Sequence, residues 1–82
     1  MISVKSETRL SPEEVVKRAV VFFGPGGLGL AIKDQGPTYA LLEGGGGHVE
    51  IRSSPLKKGA SVEFVSQEWE IQVKKFIDTL KR

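Results

Sequence analysis

The chain has no cysteine, which excludes a disulfide framework, a zinc ribbon, a thiol nucleophile and an iron–sulfur centre together. Stability must then come from burying apolar surface or from association with another subunit. Histidine occurs once, at His48, so no second imidazole is available to a metal. No cofactor and no metal site is expected. Apolar runs are short: nothing approaches the roughly 20 residues of a helical membrane span, and the opening "MISVKSETRL" lacks the apolar stretch of a secretory signal. The expectation is a cytoplasmic protein with no membrane span. Charge of one sign is also missing as a block, because 12 Lys/Arg and 10 Asp/Glu are interspersed along the chain for a net charge of +2. That balance argues against a nucleic-acid partner. The basic tail "KKFIDTLKR" is what the dipole of a C-terminal helix favours in any case.

What is present is one small domain, residues 1–82, with 39% hydrophobic and 27% charged residues. A domain of this size buries about 60 to 70% of its unfolded surface, which leaves room for one sheet and one or two helices.

Ile2 to Thr8 alternates as a strand with one covered face. In "LSPEEVVKRAVVFFGPGG" the spacing predicts a helix. Ser11 is the N-cap, Pro12 the first helical residue, and Glu14 the partner that closes a capping box with Ser11. Leu10 and Val15 form a hydrophobic staple. Val15, Val16, Ala19, Val20 and Phe23 make the apolar face, and Gly24–Pro25 ends the helix with a left-handed cap.

Beyond it the period changes to two. Leu28 to Lys33, Thr38 to Glu43, His48 to Ser53 and Ala60 to Val65 are predicted strands, broken by "DQGP", Gly44 to Gly47 and "SSPLKKG". Such short loops make consecutive antiparallel neighbours. The last segment returns to helical spacing, with Ser66 as cap, Glu68 and Glu70 in the first turn, and Trp69, Val73, Phe76, Ile77 and Leu80 on one stripe. The predicted class is α+β in the order β-α-β-β-β-β-α, a curved antiparallel sheet with both helices packed on one face.

This order, with "LSPEEVV" between the first strand and a Gly/Pro-rich break, resembles an abbreviated helix-grip domain of the Bet v 1-like and START-like group. That group shares its topological class with the TATA-binding-protein repeat. The resemblance covers the topology of the whole chain and the residues Ser11 to Val15. It implies a long C-terminal helix lying across the sheet, with a cavity for an apolar ligand that is shrunken or filled here, since only four strands follow the helix. The phenylalanine wedges and paired basic residues of the TATA-binding repeat have no counterparts in this sequence.

Candidate sites are few. The glycines of "GPGGLGL" follow a helix and open a strand, the reverse of a phosphate-cradling loop, and read as cap and turn. In "EGGGGHVE" the four glycines exceed what a tight two-residue hairpin needs. Either Gly44, Gly45, Gly46 and Gly47 form a mobile loop at a pocket mouth, or a helix or partner passes close to their bare backbone. His48, Glu50 and Glu43 are the one cluster with acid/base potential, but no nucleophile accompanies them. A histidine on the polar side of a strand is more often a solvated surface residue. Of Phe22 and Phe23, only one can face inward fully, and the other belongs at a pocket rim or subunit contact.

Three functions are carried forward. The first is a binding module that holds a small apolar ligand between the C-terminal helix and the sheet, lined by Leu30, Phe64, Trp69, Val73 and Phe76. The second is a structural or protein-interaction domain with a filled core, acting through its surface, with a protein partner or as a homodimer. The third is nucleic-acid binding on an exposed sheet face through Lys33, Arg52 and Lys57. A small enzyme ranks below all three.

Overall fold

The computed structural model describes residues 2–80; Lys81 and Arg82, the end of the basic tail, lie outside them. The elements are β1 (Ile2–Thr8), α1 (Pro12–Phe23), β2 (Ala31–Gln35), β3 (Tyr39–Gly44), β4 (Gly47–Leu56), β5 (Gly59–Gln67) and α2 (Glu70–Leu80). All strand pairs are antiparallel, in the order β1-β5-β4-β3-β2. The chain is therefore an α+β fold with a curved five-stranded sheet and two helices, in the order the periodicity predicts.

β2 to β5 is a meander built by local hairpins, and β1 closes it by pairing with the last strand. α1 packs over β3, β4 and β5, and α2 over β1 and β5. Between helices and sheet lies one core: Val15, Val16, Ala19 and Phe23 from α1, Ala40, Leu42, Val49, Ile51, Ala60, Val62 and Phe64 from the sheet, and Val73, Phe76, Ile77 and Leu80 from α2. Two polar residues on this face tie the helices to the sheet. Ser53 donates to the Pro12 carbonyl at the start of α1 (2.9 Å), and Thr8 donates to the Leu80 carbonyl at the end of α2 (3.1 Å).

The α1 start forms as its sequence dictates, with the Glu14 amide donating to Ser11 Oγ at 3.3 Å. The capping box closes in this direction only, because the Glu14 carboxylate accepts from Arg18 one turn on. Gly24 ends the helix in an extended conformation (φ −76°) with its amide on the Val20 carbonyl, and not with a left-handed cap. The next residues fold back on the helix end: the Leu28 amide bonds to Phe22 and the Leu30 amide to Phe23. Leu28 therefore belongs to the helix terminus, and β2 begins at Ala31 instead. Only Leu30 of the apolar series Leu28, Leu30 and Ile32 is buried; Ile32, on β2, stays exposed because neither helix extends over that strand.

β4 runs three residues past its predicted end at Ser53, through Pro55 to Leu56. Proline is tolerated because the neighbouring strand has already ended. The Ser53 amide, which points to the β3 side, takes the Thr38 carbonyl just before β3. Two residues on, the Pro55 nitrogen points the same way into space where no strand waits for a donor. Lys57 and Lys58 then turn the chain, with Gly59 at φ +115°.

β5 likewise runs past its predicted end and takes in Ser66, the predicted helix cap. Trp69 is the residue that precedes α2, and its carbonyl accepts the first helical bond, from the Val73 amide. Glu68 has φ +70° and donates its amide to the Glu70 carboxylate at 3.3 Å. Ser66 is fully buried between Ile2 and Val49, and its hydroxyl has no hydrogen-bond partner among the described residues. An unpaired buried hydroxyl costs about 1 to 3 kcal/mol. Ser66→Ala is accordingly expected to stabilise the domain by about 1 kcal/mol, a rise in Tm of about 4 to 8 °C. Thermal unfolding followed by circular dichroism measures it, and a lowered Tm would show that the hydroxyl is paired.

Candidate functional site

Of the five residues expected to line a ligand cavity, Leu30, Phe64, Val73 and Phe76 are at most 2% exposed. Their neighbours fill the space between helix and sheet. Phe76 sits against Phe64 (ring centroids 5.8 Å apart), Phe23 (5.7 Å) and Phe22 (5.3 Å), within the range at which aromatic rings attract one another. Trp69, the fifth, is half-buried before α2 and packs on the margin of the core. It lies apart from the helical stripe on which the periodicity placed it.

Trp69 also explains the glycine run. Gly44 ends β3 and pairs with Gly47, which begins β4, and Gly45 and Gly46 form a two-residue turn with φ +60° and +83°. Two positive φ values mark the tight hairpin turn whose twist matches the strands. The loop is thus a two-residue hairpin, shorter than the composition suggests, and the other two glycines serve close packing. The Trp69 indole N–H donates to the Gly44 carbonyl at 2.9 Å, and its ring lies 3.0 Å from where a β-carbon on Gly45 would stand. At Gly47 a β-carbon would run into the Gln67 carbonyl oxygen. The bare backbone is the seat of the β5–α2 junction.

His48 is half-buried on the sheet face away from the helices, flanked in register by Glu43 on β3 and Gln67 on β5. With Ala31, Lys33, Gly44, Gly46 and Gly47 these residues line an open depression of about 560 Å³. Glu50 shares this face, as the alternation predicts, but one rung further along.

The whole of that face is uncovered. Across the strands one rung reads Lys5, Glu63, Arg52, Tyr39, the next Ser3, Val65, Glu50, Leu41, Asp34, and a third Gln67, His48, Glu43, Ala31. Two of its cations are engaged with acids: Arg52 meets Glu50 at 3.2 Å and Lys5 meets Glu63 at 3.9 Å. The three residues of the nucleic-acid expectation do not gather. Lys33 lies at the β2 edge, Arg52 is paired, and Lys57 is in the β4–β5 turn, about 17 Å along the strand from Arg52 at the usual strand rise.

Periodicity alone did not single out this surface. Tyr39 stands on the open face with its hydroxyl donating to Asp34 (3.4 Å). The signal available was the parity of β3: Ala40 and Leu42 are the inward residues, so Tyr39 and Leu41 point outward. On the helix side, Phe23 is fully buried while Phe22 lines a groove of about 340 Å³ between α1 and α2, with Lys17, Val21 and Thr79. Phe22 is thus the phenylalanine at the rim.

No helix among the described residues is long and apolar enough to cross a membrane, and no group of His, Asp and Glu there could hold a metal. No protein-family model matches the chain, and comparison with curated proteins and with solved structures found no match either.

Proposed function

We propose that this chain is a binding domain with a filled core that engages a protein partner through the uncovered sheet face. The observation that carries this reading is the position of Leu30, Phe64, Val73 and Phe76: the residues best suited to line an apolar cavity are spent on the core itself. The open face has the make-up of a protein contact. Tyr39 and Leu41 on β3 and Val65 on β5 give it apolar side chains on either side of Glu50 and Arg52, interleaved with charged residues of both signs. For a polyanion it is poorly suited, because Asp34, Glu7, Glu43, Glu50 and Glu63 outnumber Lys5, Lys33 and Arg52 on it.

An amide-shift titration of the labelled protein tests the reading. A mixture of fatty acids, sterols and flavonoids is expected to leave the Val73 and Phe76 amides and the Trp69 indole unmoved. A DNA duplex at low salt is expected to leave Lys33 and Arg52 unmoved. Shifts clustering at Trp69, Val73 and Phe76 would replace this reading with the apolar-ligand one. Salt-sensitive shifts at Arg52 would replace it with the nucleic-acid one.

A further inference from the structure

The sheet ends on two strands of unequal character. At one edge β2 is five residues long, is bulged between Ile32 and Asp34, and carries Lys33 and Asp34 side by side. Short length and a bulge are devices that keep an edge from pairing with another chain. At the other edge β1 keeps unbroken register with β5 over seven residues, with no bulge and no proline.

Which backbone groups of β1 are free follows from the pairing. The Ser53 amide bonds to the Thr38 carbonyl on the β3 side, so its neighbour Arg52 turns its amide and carbonyl to Glu63 on β5. The residues on either side of Glu63, Val62 and Phe64, therefore turn theirs to β1, where Ser6 and Val4 stand opposite. Ser3, Lys5 and Glu7 are left with amides and carbonyls directed outward. Their side chains are exposed and lie on the face without helices.

We infer that two copies of this chain pair antiparallel through β1, with the twofold axis at Ser6, joining the two sheets into one. Hydrogen bonding requires the outward residues to pair with one another, which leaves a small set of registers. An axis at Lys5 or at Glu7 sets a residue against its own charge. An axis at Val4 puts Lys5 opposite the partner's Ser3. The axis at Ser6 puts Lys5 opposite the partner's Glu7 and, by symmetry, Glu7 opposite the partner's Lys5. Ser6 then faces the partner's Ser6 at the close spacing of a non-hydrogen-bonded pair, about 4.5 Å between Cα atoms. The uncovered faces of the two copies become one surface.

Sedimentation velocity of the full chain over a concentration series tests the pairing, with Lys5→Glu and Glu7→Lys as variants. The parent protein is expected to dimerise, and each variant alone to dimerise at least about tenfold more weakly, because both cross-strand pairs become repulsive. Mixed in equal amounts, the two variants are expected to form a heterodimer of near-parental strength, since every altered side chain then meets an opposite charge. In a chain without cysteine, Ser6→Cys gives a second measurement: air oxidation is expected to link two copies efficiently, and Ser3→Cys is expected to link them poorly. This decides the register even if a charge variant fails to fold. A parent protein that stays monomeric to millimolar concentration, a dimer indifferent to both charge variants, or a mixture that does not recover would overturn the proposal. None of these outcomes bears on the filled core, which the ligand titration judges separately.

Discussion

Phe64→Ala is expected to destabilise the domain by about 3 to 5 kcal/mol. Phe64 is fully buried on β5, with Val4 opposite on β1 and Ile51 opposite on β4, and its ring meets Phe76 of α2 at 5.8 Å. It touches the non-local strand pair, the meander and the C-terminal helix together, so its removal leaves a void that no single side chain can close. A native domain is stable by only about 0.05 to 0.15 kcal/mol per residue, so the loss takes up much of the total. Urea unfolding followed by circular dichroism is the measurement. The midpoint should fall steeply with little change of slope. Leu56→Ala is the control: Leu56 is 44% exposed beside the β4–β5 turn, and its loss is expected to cost under about 0.5 kcal/mol. Equal costs for the two would contradict the central position of Phe64.

The second large effect is expected at Gly47, in the run that stands out most in the sequence. Gly47→Ala forces a β-carbon against the Gln67 carbonyl oxygen, with the Glu68 β-carbon 2.6 Å away. Neither neighbour is a flexible side-chain end, so strand β4 and the β5–α2 junction must part. Overpacking of this kind costs about 1 to 3 kcal/mol, and here it also moves the backbone from which Trp69 reaches the Gly44 carbonyl. Gly26→Ala is the matched comparison, because Gly26 has open space around it and does not have a positive φ. There the change is expected to be neutral or stabilising by up to about 1 kcal/mol. Amide exchange adds a local readout, with protection expected to fall first at Val73, whose amide makes the first bond of α2. If Gly47→Ala proves as harmless as Gly26→Ala, the glycines are required by the turn alone.

Much of the fold was legible because it rests on short-range physics. Ser11, Pro12 and the spacing of Val15, Val16, Ala19 and Phe23 specify α1 without any reference to the rest of the chain. The strict alternation of Val62 and Phe64 with Ser61 and Glu63 specifies β5 and its inward face. Where periodicity misled, the presence or lack of a distant partner was responsible. Ser66 has the chemistry of a cap, but Ile2 and Val49 stand beside it and extend the strand. Ile32 has the pattern of a core residue, but no helix covers β2, and it remains exposed.

The candidate site divides the same way. That Leu30, Phe64, Val73 and Phe76 are inward residues was readable from their spacing. Whether they enclose a cavity depends on how closely α2 approaches the sheet, and Phe22 and Phe23 decide that by meeting Phe76 from α1. The glycine run carried a real signal of close approach. Its occupant, the Trp69 ring, is contributed by a residue 25 positions away from the Gly44 carbonyl it binds.

By itself, then, the amino-acid order determined the element types, their sequence along the chain and the inward or outward parity of most strand residues, because caps, turns and periods act over a few residues. Only the tertiary structure decided that β1 pairs with β5, that one face of the sheet stays bare, and that one edge is left open while the other is guarded by a bulge. Those features depend on which distant surfaces lose water against each other, and that is settled by the packing of the whole chain.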